Sequence, residues 1–125
     1  MADIYLGGTF MSIDKTLIAG STTVLILKLL EEKDMYGYEM ISNLAKKSDH
    51  TFDLKAGTLY PLLHNLEKDG IVESYEETSN CDRTRKYYHL TEEGKRVLNI
   101  KQEEWKEYST AMNRVLNGGL CLATR

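Results

Sequence analysis

Residues 57–70 read Gly57-Thr58-Leu59-Tyr60-Pro61-Leu62-Leu63-His64-Asn65-Leu66-Glu67-Lys68-Asp69-Gly70, a leucine-rich stretch with one proline near its start and a glycine at its end. Leu59, Leu62, Leu63 and Leu66 mark one face of a helix by their spacing. That helix runs to about Asp69, and Gly70 is placed to supply the left-handed residue that closes it. Pro61 has no amide hydrogen and sits best in a first turn. With Thr58 as the cap, Pro61 is the third helical residue; with a start near Lys55, a kink is expected.

Two helices precede this one. From Ile13 to Glu32, Leu17, Val24, Leu25, Leu27, Leu29 and Leu30 form a face so broad that the helix must be buried on most sides. From Tyr36 to Lys47, Tyr36, Met40 and Leu44 recur every four residues, and Lys46 and Lys47 suit the negative end of the helix dipole. Only Lys33-Asp34-Met35 links the two, and Asp49 to Leu54 forms a loop or short extended piece before the third helix.

A hairpin follows. Ile71 to Thr78 and Arg83 to Leu90 are rich in strand formers and flank the polar turn Ser79-Asn80-Cys81-Asp82. Thr91-Glu92-Glu93 then reads as a helix cap with acids in the first turn. The last helix extends to about Leu116. Leu98, Trp105 and Met112 repeat at seven residues with Tyr108 and Val115 between, a heptad-like seam broken once at Lys101. The division is therefore an arm (1–12), a core domain (13–90), a final helix (91–116) and a tail (117–125).

Three helices followed by a two-stranded wing make a winged helix-turn-helix, mainly α with a small β-hairpin, whose third helix enters the DNA major groove. The stretch from Gly57 to Gly70 also resembles the recognition-helix signature of PadR-type transcriptional regulators. Tyr36-Gly37-Tyr38-Glu39 and Arg85-Lys86-Tyr87-Tyr88-His89-Leu90-Thr91-Glu92-Glu93-Gly94 resemble two further blocks of that family. The resemblance spans about Ser21 to Leu116, and the single short C-terminal helix is similar to the small-subunit, LmrR-like branch of multidrug-sensing repressors. It implies a DNA-binding homodimer.

Composition narrows the alternatives. The 125 residues are 42% apolar and 28% charged, a globular balance. The formal charge is −3, so an anionic partner must be met by a local patch. Val24 to Leu30, the longest strongly apolar run, is far short of the roughly 20 residues that span a bilayer, and no cleavable leader is visible. A cytoplasmic chain with no membrane partner is expected. Cys81 and Cys121 cannot build a disulfide framework, and His50, His64 and His89 lack metal-ligand spacing. With no phosphate loop, nucleophile elbow or metalloprotease motif, neither an enzyme nor a cofactor is expected.

Binding DNA requires donors aimed at phosphates and a few side chains at base edges. Lys55, Thr58 and Tyr60 open the third helix, and His64 and Lys68 continue its outer face. Arg83, Arg85 and Lys86 give the wing its cations, and Lys46 ends the second helix beside Lys47. Each has a plainer reading. Lys46 can be a solvated helix end, the wing cations can pair across the hairpin with Glu73, Glu76 or Glu77, and Tyr60 and Tyr87 can be core residues. Cys81 at the wing turn reads as an incidental thiol before a redox switch. A winged domain that binds another protein instead of DNA is the competing class, favoured by the acidic balance.

The final helix must bury its stripe, and the same helix of a second chain is the better cover than its own first helix. Two copies would then read a palindromic operator with half-sites about 34 Å apart. Trp105 sits in mid-seam, where packing is the plain reading. The resemblance implies a second role, in which Trp105, with Glu104, Tyr108 and Met112 nearby, lines a pocket between subunits for flat hydrophobic effectors.

Overall fold

The computed structural model describes residues 15–78 and 83–118, with side chains from Gly20 onward. The elements are α1 (Lys15–Glu32), β1 (Met35–Tyr36), α2 (Gly37–Lys47), α3 (Ala56–Lys68), β2 (Val72–Thr78), β3 (Thr84–Leu90) and α4 (Glu92–Leu116). The expected arm (1–12), the wing turn with Cys81, and most of the expected tail lie outside the described residues.

The core is what the leucine pattern requires. Ile26, Leu27, Leu29 and Leu30 of α1 are buried with Met40 and Leu44 of α2 and Leu59, Leu63 and Leu66 of α3. Val72, Tyr88 and Leu90 close it from the sheet, and Leu98 from α4. Full burial of each such side chain contributes about 1.5–3 kcal/mol, which is why α1 is helical despite Thr22, Thr23, Val24 and Ile26.

Two differences from the sequence expectation stand out. The second helix begins at Gly37, and Met35–Tyr36 before it form a strand; the sheet has three strands in the order β1-β3-β2, all antiparallel. Two residues carry no periodic signal, and their partners Tyr88 and Tyr87 lie about fifty positions away, so the pairing is invisible locally. The third helix starts at Ala56 with Lys55 at its cap position, so Thr58 is not the cap and Pro61 lies inside the helix. The amide that Pro61 lacks leaves the Gly57 carbonyl without its usual intrahelical partner.

Both helix ends of the helix-turn-helix are closed by the same device. At the end of α3, Gly70 is left-handed (φ 76°), its amide donates to Glu67, and the Ile71 amide donates to Leu66. At the end of α2, the Asp49 amide donates to Lys46 and the His50 amide to Ala45, with Asp49 (φ 54°) and His50 (φ 66°) both left-handed. The hydroxyl of Thr91 accepts from the Gly94 amide at 3.0 Å, the expected cap of α4.

Candidate nucleic-acid interface

The buried face of α3 (Leu59, Leu63, Leu66) leaves Tyr60, Pro61, His64, Asn65 and Lys68 exposed on the opposite side. Tyr60, His64 and Lys68 fall at four-residue intervals, so they form one stripe, and Lys55 and Thr58 are exposed beside its opening. No acid interrupts that stripe. The Tyr60 ring is partly exposed, and its hydroxyl end lies against Gly37, where a β-carbon would overlap it. Gly37 is thus the residue that lets the first turn of α3 close onto the start of α2.

The wing cations separate by strand parity. Lys86 shares a sheet face with Tyr88 and Leu90, toward the helices. Its ammonium lies 4.0 Å from Glu67 of α3 and 5.7 Å from the centre of the Tyr88 ring. Glu67 also accepts from the Ser74 hydroxyl at 2.6 Å, so this group braces α3 against the wing root. Arg83 and Arg85 belong to the other face. Arg85 lies directly across from Glu77 in the strand register, yet neither arginine forms an ion pair among the described residues. The guanidinium of Arg85 instead covers the Tyr36 ring at 4.5 Å.

Among the remaining cations, Lys55 pairs loosely with Asp53 at 3.7 Å, and Lys47 with Glu32 at 3.2 Å. Lys46 and Lys68 are exposed, with no ion pair among the described residues. Such surface pairs are weak, about 0–1 kcal/mol, and yield readily to a phosphate.

An aromatic ladder crosses the same sheet face as Arg85. Tyr36 meets Tyr87 edge-on at 5.4 Å, and Tyr87 stacks on Tyr75 at 5.7 Å. The Tyr75 hydroxyl donates to one oxygen of Asp34 at 2.7 Å, and His89 Nδ1 donates to the other at 2.9 Å. Asp34 therefore fastens the link between α1 and β1 to both wing strands. Partial burial pushes the Asp34 carboxyl up, but the bonds from Tyr75 and His89 outweigh it and hold the group below its ordinary value. The hydrogen bond to Asp34 pushes the Tyr75 phenol up to about 12. Neither Tyr75 nor Asp34 stands out in the sequence, because nothing local signals that they meet.

The seam of α4 divides. Leu98 is fully buried in the domain, whereas Trp105 (52%), Tyr108 (52%), Met112 (41%) and Val115 (79%) are open to solvent. The Trp105 and Tyr108 rings are 5.7 Å apart and tilted by 35°. Glu104 lies about 100° round the helix from Trp105, and it borders a shallow surface depression with Asn99, Ile100, Glu103 and Glu107. No group of three or more metal-ligating side chains exists among the described residues, and no described helix is long and apolar enough to cross a membrane.

Comparison with known proteins agrees with this architecture. Residues 26–100 match the family model described as the transcriptional regulator PadR-like family. A transcriptional regulator from Clostridium thermocellum superposes with a TM-score of 0.75 at 36% identity, covering 82% of this chain and 96% of that one. A PadR family regulator from Eggerthella lenta gives 0.71 at 34% identity, covering 82% and 87%. An uncharacterized Lysinibacillus sphaericus protein is 33% identical over 102 residues, 82% of this chain and 94% of its own length. With a winged fold, a recognition helix free of acids on its outer stripe and a family match over most of the folded residues, the chain belongs to the PadR-like family of transcriptional regulators.

Proposed function

We propose that this regulator is a cytoplasmic homodimeric repressor that reads a palindromic operator, and that planar hydrophobic compounds bound between its subunits relieve repression. The observation that carries the reading is the outer half of α4. Trp105, Tyr108, Met112, Val115 and Leu116 are large apolar groups open to solvent along one helix, and no other element among the described residues covers them. A contiguous apolar patch of this kind marks an association surface. The same face of a second copy matches it in length and chemistry, because a two-fold axis places each residue near its own equivalent.

In that dimer the two α3 stripes lie on one side. Tyr60, His64 and Lys68 face base edges, with Lys55 and Thr58 at the helix opening, and Arg83, Arg85 and Lys46 reach backbone phosphates. Lys86 serves first as the brace to Glu67 and reaches a phosphate only if that long contact opens. Trp105 and Tyr108 offer two ring faces for a flat effector, with Met112 a further turn along and Glu104 at the side. An effector that prefers one dimer shape changes the angle between the wings, and both recognition helices then no longer fit successive grooves.

A mobility-shift titration with DNA flanking the protein's own coding sequence tests the DNA function. A complex that weakens steeply with salt supports it. A chain that shifts no fragment in dilute buffer but captures another protein would instead be an interaction module. Quenching of Trp105 fluorescence by planar aromatic compounds, together with release of DNA, tests the effector role.

A further inference from the structure

An open cleft lies between the start of α2 and the first residues of β3, lined by Tyr36, Tyr38, Arg83, Thr84 and Arg85. We propose that this cleft grips one backbone phosphate of bound DNA, with the Tyr38 hydroxyl and the Arg83 and Arg85 guanidinium groups as the donors. The proposal deepens the DNA-binding reading and rests on it.

Four observations carry the assignment. First, Tyr38 is 71% exposed, and its hydroxyl has no hydrogen-bond partner among the described residues. An aromatic residue that buries so little of its ring contributes little to the core, so its position needs another reason. Second, Arg85 is oriented in advance. One face of its guanidinium rests on Tyr36, and Tyr36 is held in turn by Tyr87 and Tyr75 down to the Asp34 carboxylate. Stacking occupies the flat face and leaves the in-plane N–H groups free, the geometry that suits a tetrahedral anion. Third, neither arginine is paired with a carboxylate among the described residues, although the chain carries 19 acids. Fourth, one lining segment of the cleft touches α3. Gly37, between the two lining tyrosines, is the residue against which the Tyr60 hydroxyl packs.

The proposal requires that a duplex seated on α3 pass the cleft mouth, one residue from the Gly37–Tyr60 contact. The donors converge from one side only, and none is enclosed. Such a cleft holds a free phosphate weakly, because water competes on every open side. It suits a phosphodiester delivered and kept in place by the neighbouring helix, where the cost of association has already been met.

The test is fluorescence anisotropy with two labelled duplexes of equal length, one selected from random sequence by the protein and one unrelated. The proteins are the wild-type full chain, Tyr38→Phe, Arg83→Ala and the double variant. Tyr38→Phe removes one oxygen from an exposed side chain, so the fold is retained. We expect it to weaken both duplexes equally, by roughly three- to tenfold, because a phosphate contact carries no sequence information. Arg83→Ala should lower the slope of log affinity against log salt by about one. The double variant should lose less than the sum of the two single losses.

If the wild type binds both duplexes and Tyr38→Phe matches it, the cleft assignment fails while the DNA reading stands. A loss confined to the selected duplex would make Tyr38 a base reader and also overturn the assignment. A wild type that binds neither duplex overturns both. Calorimetric titration with inorganic phosphate and with ATP completes the test. Micromolar binding of either one, lost in Tyr38→Phe, would assign the cleft to a free phosphate compound rather than to DNA.

Discussion

The Thr91 hydroxyl sits 2.7 Å from the carbonyl oxygen of Gly70 and so ties the first residue before α4 to the residue that closes α3. The same oxygen lies 2.9 Å from the Ile71 carbonyl and accepts from the Gly94 amide. One side chain thus fastens the end of the recognition helix to the beginning of the helix that carries Trp105. A shift of the start of α4 therefore bears directly on the end of α3 through this contact.

Thr91→Val keeps the shape but removes the acceptor and the donor. The cap is lost and the Gly70 carbonyl loses its partner, so the variant should be less stable by about 1–2 kcal/mol. Urea denaturation at fixed protein concentration should show a lower midpoint with an unchanged slope. An unaltered midpoint would mean that water replaces the hydroxyl at no cost.

Gly37 and Gly94 both stand against another group, and they should respond differently to alanine. At Gly94 the obstacle is the backbone carbonyl of Ile71, which cannot move without dragging the turn. Overpacking of this kind costs about 1–3 kcal/mol, against a gain of at most about 1 kcal/mol from helix propensity, so Gly94→Ala should destabilise the fold. At Gly37 the obstacle is the far end of Tyr60, a half-exposed side chain that can rotate away. Gly37→Ala should therefore change the denaturation midpoint by less than Gly94→Ala. It should still weaken DNA binding by displacing Tyr60 from the α3 stripe, which parallel anisotropy titrations would read.

Most of the fold is legible in the sequence because the helices that build it have strong, local signals. The leucines of α3, the broad apolar face of α1 and the Thr91 cap each declare themselves within a few residues. β1 does not, since two residues cannot show a period and their ladder is with a distant strand. The site divides in the same way. Exposure of Tyr60, His64 and Lys68 follows from helical spacing, whereas the turning of Lys86 toward Glu67 depends on how the sheet sits on α3. Strand parity does separate Lys86 from Arg83 and Arg85, a signal present in the sequence. Tyr38 could have been picked out as well, because Met40 and Leu44 set the inner face of α2 and leave Tyr38 on the outside.

The bond between Tyr75 and Asp34 makes stability depend on pH at both extremes. The Tyr75 phenol is raised to about 12 in the folded chain, against an ordinary value of 10.0. Its contribution is complete below pH 10 and is lost as the pH rises toward 12, because the unfolded chain releases the proton first. The Asp34 carboxyl is lowered from 3.8, so its contribution is present above that value and fades as acid protonates the folded form. Denaturation of wild type and Tyr75→Phe at pH 8 and pH 11 isolates the first effect. The gap between the two proteins should narrow at pH 11, and a gap that widens would contradict the assignment.

The number of chains on one operator decides whether this protein reads DNA as a pair. Analytical ultracentrifugation of the wild type and of Trp105→Glu, on a labelled duplex selected from random sequence by the wild type, measures it. Two wild-type chains should occupy each palindromic site, and Trp105→Glu should sediment as a single subunit with greatly weakened binding. One chain per site, held equally well with glutamate at position 105, would contradict the account.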